Sequence, residues 1–289
     1  MKFGLRYCNT GRYVDPAQAI ALAQAAEAAG FESLWTVEHT VVPGGYGSVY
    51  PYADGGRMAG GHDDIPLPDP LMWMAYVTAV TRHIKLATGI MILPQHNPVV
   101  VAKQVATLDH LSGGRIMLGI GVGWLKEEFD ALGVPFADRG ARTDEYMAAM
   151  RELWGAEKPT FEGRFVKFKD AYCRPQPVNK RVPLIVGGHS EAAARRAGRL
   201  GDGFFPARGA PADLFDIVRQ SARDAGRDPG LVEFTVGLPE ALEELPALAK
   251  LGVGRVLVPV SGMAGLATVI AGPEDCAKWR DIIARHATT

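Results

Sequence analysis

Three short stretches of this 289-residue chain carry residues able to do chemistry: Glu38-His39, Gly121-Val122-Gly123-Trp124 and Gly187-Gly188-His189-Ser190. His39 follows an apolar run, and an imidazole there can exchange a proton near neutrality. Glu38, its neighbour, is expected to orient the ring. Gly187 and Gly188 end a second apolar run just before a helix. They are expected to leave backbone N–H groups uncovered where Ser190 caps that helix. The positive end of the helix dipole points to the same place, so the turn reads as an anion site suited to a phosphate. Glu191 in the first turn counts against this, because its charge competes with a bound anion. Gly119, Gly121 and Gly123 alternate and so share one strand face. Three glycines on a face make a floor free of side chains, wide enough for a planar ring or a ribityl chain. Each feature also has a plainer reading: a structural histidine, a tight turn with a serine cap, close packing at a corner.

The rest of the sequence excludes several classes. Lys plus Arg total 31 and Asp plus Glu 32, a formal net charge of -1, so nothing suggests a nucleic-acid partner. No run of about 18 apolar residues marks a membrane span, and the N-terminus lacks an apolar signal core. The three cysteines, Cys8, Cys173 and Cys276, are far apart and lack metal spacing, which fits a reducing cytosol. His62-Asp63-Asp64 has no repeated ligand spacing and reads as a solvated loop, so no metal is expected. Lys85 begins a strand rather than ending one, which argues against a Schiff base. No H-x-H follows the first strand, and no facing carboxylates end two strands as a glycosidase needs.

These residues must be positioned by a repeating scaffold. Asp15-Pro16, Asp69-Pro70 and Asn97-Pro98 each read as an N-cap followed by proline at the first helical position. Strands are expected at 3–7, 33–37, 84–93, 116–122, 184–186, 203–206, 234–238 and 255–260. Helices are expected after Pro16, Pro70 and Pro98, then near 143–154, 190–199, 211–225, 240–250 and 274–286. Eight strand–helix units imply a single (β/α)8 TIM barrel spanning 1–289. The rival open sheet needs a nucleotide fingerprint after its first strand, and YCNTGRYVD contains no G-x-G-x-x-G. Two insertions interrupt the rhythm. Residues 40–67 carry Tyr46, Tyr50, Tyr52 and Arg57 and read as a substrate-covering flap. Residues 156–182 read as a hairpin or irregular excursion. In a barrel, chemistry sits at the carboxyl ends of the strands, and the stretches named above all fall there.

Three longer stretches carry a family resemblance: AAEAAGFESLWTVEH, KLATGIMILPQHNPVVVAKQVATLDHLSGGRIMLGIGVGW and PLIVGGHSEAAARRAGRLGDGFF. Across residues 2–210 the chain resembles bacterial luciferase-like oxidoreductases, most closely the deazaflavin-dependent branch that uses coenzyme F420. The tail from about 211 matches only loosely. The resemblance implies a barrel that binds a flavin-like ring at its carboxyl rim. It implies that His39 stands beside the reacting carbon. It implies that Thr88, Gly89 and Ile90 form a bulge, with a non-proline cis peptide, that presses on the ring. Gly121 and Gly123 are implied to wall the cofactor chain, and Gly187, Gly188, His189 and Ser190 to cradle its phosphate. Trp124 stands where the family's sugar-phosphate dehydrogenases place a glutamate. Glucose 6-phosphate is therefore disfavoured, and a larger, flatter substrate is expected against Trp124 and Tyr52. The expected activity is hydride transfer between F420 and a small organic molecule. The alternative is an FMN-dependent monooxygenase using dioxygen, since both cofactors carry one phosphate on a similar chain. A homodimer is expected from the resemblance.

Overall fold

In the computed structural model, residues 1–53, 55–58, 62–262 and 267–287 are described. Eight strands form the barrel: β1 (Lys2–Arg6), β2 (Ser33–Thr36), β3 (Lys85–Thr88), β5 (Ile116–Gly121), β8 (Leu184–Gly187), β9 (Gly203–Phe205), β10 (Glu233–Gly237) and β11 (Val253–Pro259). A short β4 (Met91–Ile92) lies between β3 and β5. Every barrel pairing is parallel, β1 pairs with β11, and β3 pairs with β5, so the sheet closes on itself. The expected single strand at 84–93 is two pieces. It breaks at a cis peptide between Gly89 and Ile90, and β4 then pairs only with β5.

The outer helices start where the sequence places their caps. Asp15 accepts the Gln18 N–H (3.0 Å) at the start of α1 (Pro16–Ala29). Asp69 accepts the Met72 N–H (2.9 Å) at α2 (Pro70–Thr78). Asn97 accepts the Val99 and Val100 N–H groups at α3 (Pro98–Ser112). Gly30 (φ 90°) and Gly113 (φ 73°) end α1 and α3 in the left-handed conformation that glycine allows. A short helix, α4 (Lys126–Ala131), was not foreseen, and α5 (Arg139–Gly155) starts before residue 143. The last helices are α6 (Glu191–Leu200), α7 (Ala212–Asp224), α8 (Leu245–Lys250) and α9 (Arg280–His286). The expected helices at 240–250 and 274–286 begin as 3-10 turns, Leu242–Glu244 and Pro273–Trp279.

The 156–182 insertion contains a hairpin of β6 (Phe161–Glu162) against β7 (Lys167–Phe168). Glu145 of α5 accepts the N–H groups of Arg164, Phe165 and Val166 and so holds the hairpin turn on the barrel wall.

Alternation along the strands sorts side chains into two cores. Outward residues such as Phe3, Leu5, Leu34, Leu118 and Ile120 pack under the helices. The inward set is Trp35, Ala87, Met117, Ile185, Phe205 and Leu257, with Ile90 against it. At the amino-terminal end, buried Arg255 lies over Trp35 and is held by Glu32 (2.9 and 3.0 Å) and Glu233 (2.9 Å). That pairing closes the bottom of the barrel and leaves the top for chemistry.

Candidate active site

The last inward positions of the eight strands explain why the top is open. They are Arg6, Val37, Gly89, Gly121, Gly187, Phe205, Gly237 and Pro259, and all eight line one cavity of about 1410 Å³. Half are glycines, so the layer that would fill the barrel with side chains is missing there. Pockets for drug-sized ligands are about 300–1,000 Å³, so this one has room for a cofactor and a substrate together. His39, Ile90, Gly188, Trp124 and Tyr52 line the same cavity.

The glycines do not form the flat floor expected of them. A Cβ on Gly119 would sit 2.0 Å from the Thr88 carbonyl oxygen, so that glycine serves close backbone packing. Thr88 is buried, donates its hydroxyl to Gly119 O (2.6 Å), and does not line the cavity. A Cβ on Gly121 or on Gly187 would lie 2.5 Å from the Ile90 side chain. These two glycines thus make the slot in which the bulge residue stands, and Ile90 presents the apolar surface above them. Gly123 (φ 80°) leaves the strand in a left-handed turn against Ile92 and Phe129.

His39 is held by a residue that sequence adjacency did not suggest. Its Nδ1 lies 2.9 Å from Glu128 Oε2, with side-chain exposures of 9% and 0%. Glu128 also accepts the Thr40 N–H (2.7 Å) and the Val41 N–H (3.3 Å). Burial pushes the Glu128 carboxyl up, but the His39 bond and its charge outweigh this and hold it below the ordinary glutamate range. An ionised carboxylate only accepts, so Nδ1 carries the proton. Nε2 has no partner among the described residues and is left for the cavity. Glu38 does not orient His39. Its Oε2 accepts the Ile92 N–H (2.5 Å), and its Oε1 pairs with His96 Nε2 (2.9 Å). Neighbouring residues of an extended segment point to opposite sides, so the Glu38 carboxylate is spent on the bulge and His96 while the His39 ring is free for the cavity that both residues line. Burial lowers the His96 pKa, but Glu38 more than offsets this and raises it.

Trp124 is the hub of an aromatic wall. Its ring meets those of His39 (5.9 Å), Tyr46 (5.4 Å) and Tyr50 (5.0 Å) edge to face. Tyr46 and Tyr50 come from the 40–67 insertion, of which residues 54 and 59–61 lie outside the described residues. Glu127 pins this insertion by accepting the Gly47 and Ser48 N–H groups. The Ser48 hydroxyl and those N–H groups hold its carboxyl at about 2. Asp63 accepts the Gly45 N–H and faces Arg57.

At the end of β8 the turn differs in detail from its reading. The Gly188 N–H is covered, donating to Phe205 O (3.2 Å). Gly188 has φ 137°, and a Cβ there would meet Ala193 at 2.9 Å, so glycine is required. Ser190 caps α6 by accepting the Ala193 N–H. His189 and Ser190 are exposed and lie outside the cavity lining. Glu191 is paired with Arg195 along the helix, so its charge is partly engaged away from the turn. The Tyr52 hydroxyl lies against the His189 backbone N–H. Burial raises its pKa, and that N–H opposes the rise. Among the described residues, no cluster of His, Cys, Asp or Glu is arranged to hold a metal ion, and no helix is long and apolar enough to cross a membrane.

A closed barrel whose carboxyl rim is hollowed by glycines, beside a histidine locked by a carboxylate, defines a barrel enzyme that works on bound small molecules. The chain belongs to the luciferase-like monooxygenase family, whose profile matches residues 3–260. The match thus runs past residue 210, where the sequence resemblance became loose. The chain is an oxidoreductase of that family. It is 33% identical to an uncharacterised protein of Mycobacterium tuberculosis over 267 residues, covering 89% of this chain and 91% of that one. It is 30% identical to an F420-dependent glucose-6-phosphate dehydrogenase of Kineococcus radiotolerans over 288 residues, covering 96% of this chain and 79% of that one. Its fold is similar to that of an F420-dependent secondary alcohol dehydrogenase solved with an F420-acetone adduct, with TM-score 0.77, 20% identity and 99% of each chain covered.

Proposed function

We propose that the protein is an F420-dependent oxidoreductase that moves a hydride between the deazaflavin and a flat organic substrate. The observation that carries this reading is the convergence of Ile90, His39 and Gly188 on one cavity large enough for two molecules. Gly89 and Ile90 would back the ring in the space that Gly121 and Gly187 keep open, and the amino end of α6, beside the Gly188 turn and outside the Gly188 and His189 N–H groups already engaged, would take the phosphate. When bound, the deazaflavin supplies or accepts the hydride.

The chain's own groups do the rest. Glu128 fixes the proton on Nδ1 of His39, so Nε2 can take a proton from a substrate hydroxyl or return one to a carbonyl. Trp124 and Tyr50 form a wall that excludes water and favours a planar body. Trp124 offers a sugar phosphate none of the polar contacts a carboxylate would, which disfavours glucose 6-phosphate as the substrate.

F420 is preferred over FMN because curated relatives covering most of the chain are named F420-dependent. The test is anaerobic turnover of F420 with secondary alcohols, and of reduced F420 with ketones and enones, in the wild type and in His39→Ala. Turnover in the wild type, lost in the variant while F420 still binds, is expected. Turnover that needs reduced FMN and dioxygen instead would replace this reading with the monooxygenase.

A further inference from the structure

We infer that Arg6 is an anion anchor and that the substrate is an organic acid. Its carboxylate pairs with this guanidinium while its flat body lies along Tyr50 and Trp124 toward His39. The inference deepens the proposed function and rests on it for the place of the cofactor.

Arg6 is the one charged residue among the last inward positions of the barrel strands. Its guanidinium lies 4.4 Å from the Tyr7 ring and 5.4 Å from the Phe205 ring. Nη2 donates to the Tyr7 hydroxyl at 2.5 Å. Nε is buried without a partner. Nη1 lies 3.1 Å from the place a Cβ would take on Gly237, so that glycine leaves room for it. Among the described residues Arg6 forms no ion pair, and Tyr7 is its sole hydrogen-bond partner. A guanidinium has five donors, so most of this one's capacity is unused.

The other inward arginine shows what the fold does when an arginine is structural. Arg255, at the bottom, has two carboxylates, Glu32 and Glu233. Arg6, at the top, has a phenol and two aromatic faces. A partly buried cation without a counter-charge is costly, and a ligand carboxylate removes that cost. Tyr7 is held ready for this. It is buried in a left-handed conformation (φ 68°) that an aromatic residue rarely adopts.

Arg6 starts from β1, four strands from β8 in either direction around the closed sheet, and its guanidinium reaches toward the Phe205 ring of β9. His39 follows β2, next to β1. Rings bridge the gap. Tyr50 lies within electrostatic reach of Arg6, of Tyr7 and of Arg208, which also lines the cavity; it meets Trp124 at 5.0 Å, and Trp124 meets His39 at 5.9 Å. Glu240 and Glu244 also line the cavity, but neither pairs with Arg6.

The test is calorimetric binding of benzoate, cinnamate and 2-naphthoate, each against its primary amide, to the full chain with and without F420. A charge-assisted pair is expected to favour at least one acid over its amide by about tenfold or more. Arg6→Gln is expected to abolish that preference and leave F420 affinity within about twofold, the scale of a side chain that does not touch the cofactor. Arg6→Lys keeps the charge and should keep part of the preference, which guards against a misfolded Gln variant. Gly237→Ala should weaken acid binding by crowding Nη1. Equal binding of acids and amides by the wild type would overturn the inference, as would a preference that survives in Arg6→Gln. A loss of F420 affinity with the preference untouched would assign Arg6 to the cofactor and also overturn it. Acid preference in a protein that does not bind F420 would uphold the anchor and sink the cofactor reading alone.

Discussion

Glu128→Gln isolates the part of the site that adjacency in sequence concealed. The Glu128 side chain is fully buried, and its acceptor bonds to Thr40, His39 and Val41 are 2.7, 2.9 and 3.3 Å. Glutamine keeps the size and one oxygen for the two backbone donors. Its amide nitrogen then faces Nδ1 of His39 and can only donate. Nδ1 must then become an acceptor, and the ring proton moves to Nε2. His39 could still give a proton to a carbonyl but could no longer take one from an alcohol. Losing a group that orients a catalytic or ligating histidine typically costs about 10- to 10⁴-fold. Alcohol oxidation is therefore expected to fall by about 10²-fold or more, and carbonyl reduction by less. The replaced charge-assisted bond was worth about 1.5–3 kcal/mol, so the variant should stay folded. Glu128→Ala, which removes the acceptor of the His39, Thr40 and Val41 donors, is expected to lose more than the Gln variant. The assay is kcat in both directions with the fastest wild-type substrate, beside F420 affinity and urea unfolding. The depressed Glu128 carboxyl stabilises the fold fully above pH 4.5 and less as pH falls below it, so the stability gap to Glu128→Gln should narrow in acid. Unchanged kcat in both directions would refute the role given to this pair.

Three further outcomes follow from the geometry. Glu32 is held at about 2 rather than 4.5, burial being outweighed by Arg255; at about 1.4 kcal/mol per pH unit this stabilises the fold by about 3 kcal/mol above pH 4.5 and is lost as pH falls toward 2. Urea unfolding of Glu32→Gln should show that deficit near neutrality and little of it in strong acid, and an equal deficit at both would contradict the linkage. Gly187→Ala puts a Cβ 2.5 Å from Ile90 and is expected to cost about 1–3 kcal/mol by overpacking. Adding Ile90→Ala should recover part of that in the same unfolding experiment, and no recovery would mean that the slot is not what the glycine provides. Trp124→Ala removes the hub of the aromatic wall, so KM for a flat substrate should rise by about tenfold with F420 affinity unchanged; an unchanged KM would remove Trp124 from the substrate face.

Local chemistry was legible in the sequence. Asp15, Asp69, Asn97 and Ser190 announce their helices because a cap needs only its own first turn. The barrel followed from counting units, and the rim from where the glycines fall. Long-range relations were not legible. His39 and Glu128 are 89 positions apart, and nothing local links them. The signal that existed was a pair of acids, Glu127 and Glu128, just after Gly123-Trp124. They open a helix too short to stand out by periodicity. Glu38 misled because adjacency along an extended chain means divergence in space. The glycines of β5 and β8 were recognised as special, but their purpose depended on Ile90, a residue from a third strand's end.

The central claim is that the glycine-hollowed rim holds a deazaflavin. Its most direct measurement is the affinity of the purified protein for F420 and for FMN, each followed by fluorescence quenching under the same anaerobic conditions. Saturable F420 binding at least about tenfold tighter than FMN, a difference of about 1.4 kcal/mol, is the predicted result. FMN binding as tightly as F420 or tighter, or no saturable binding of F420, would contradict it.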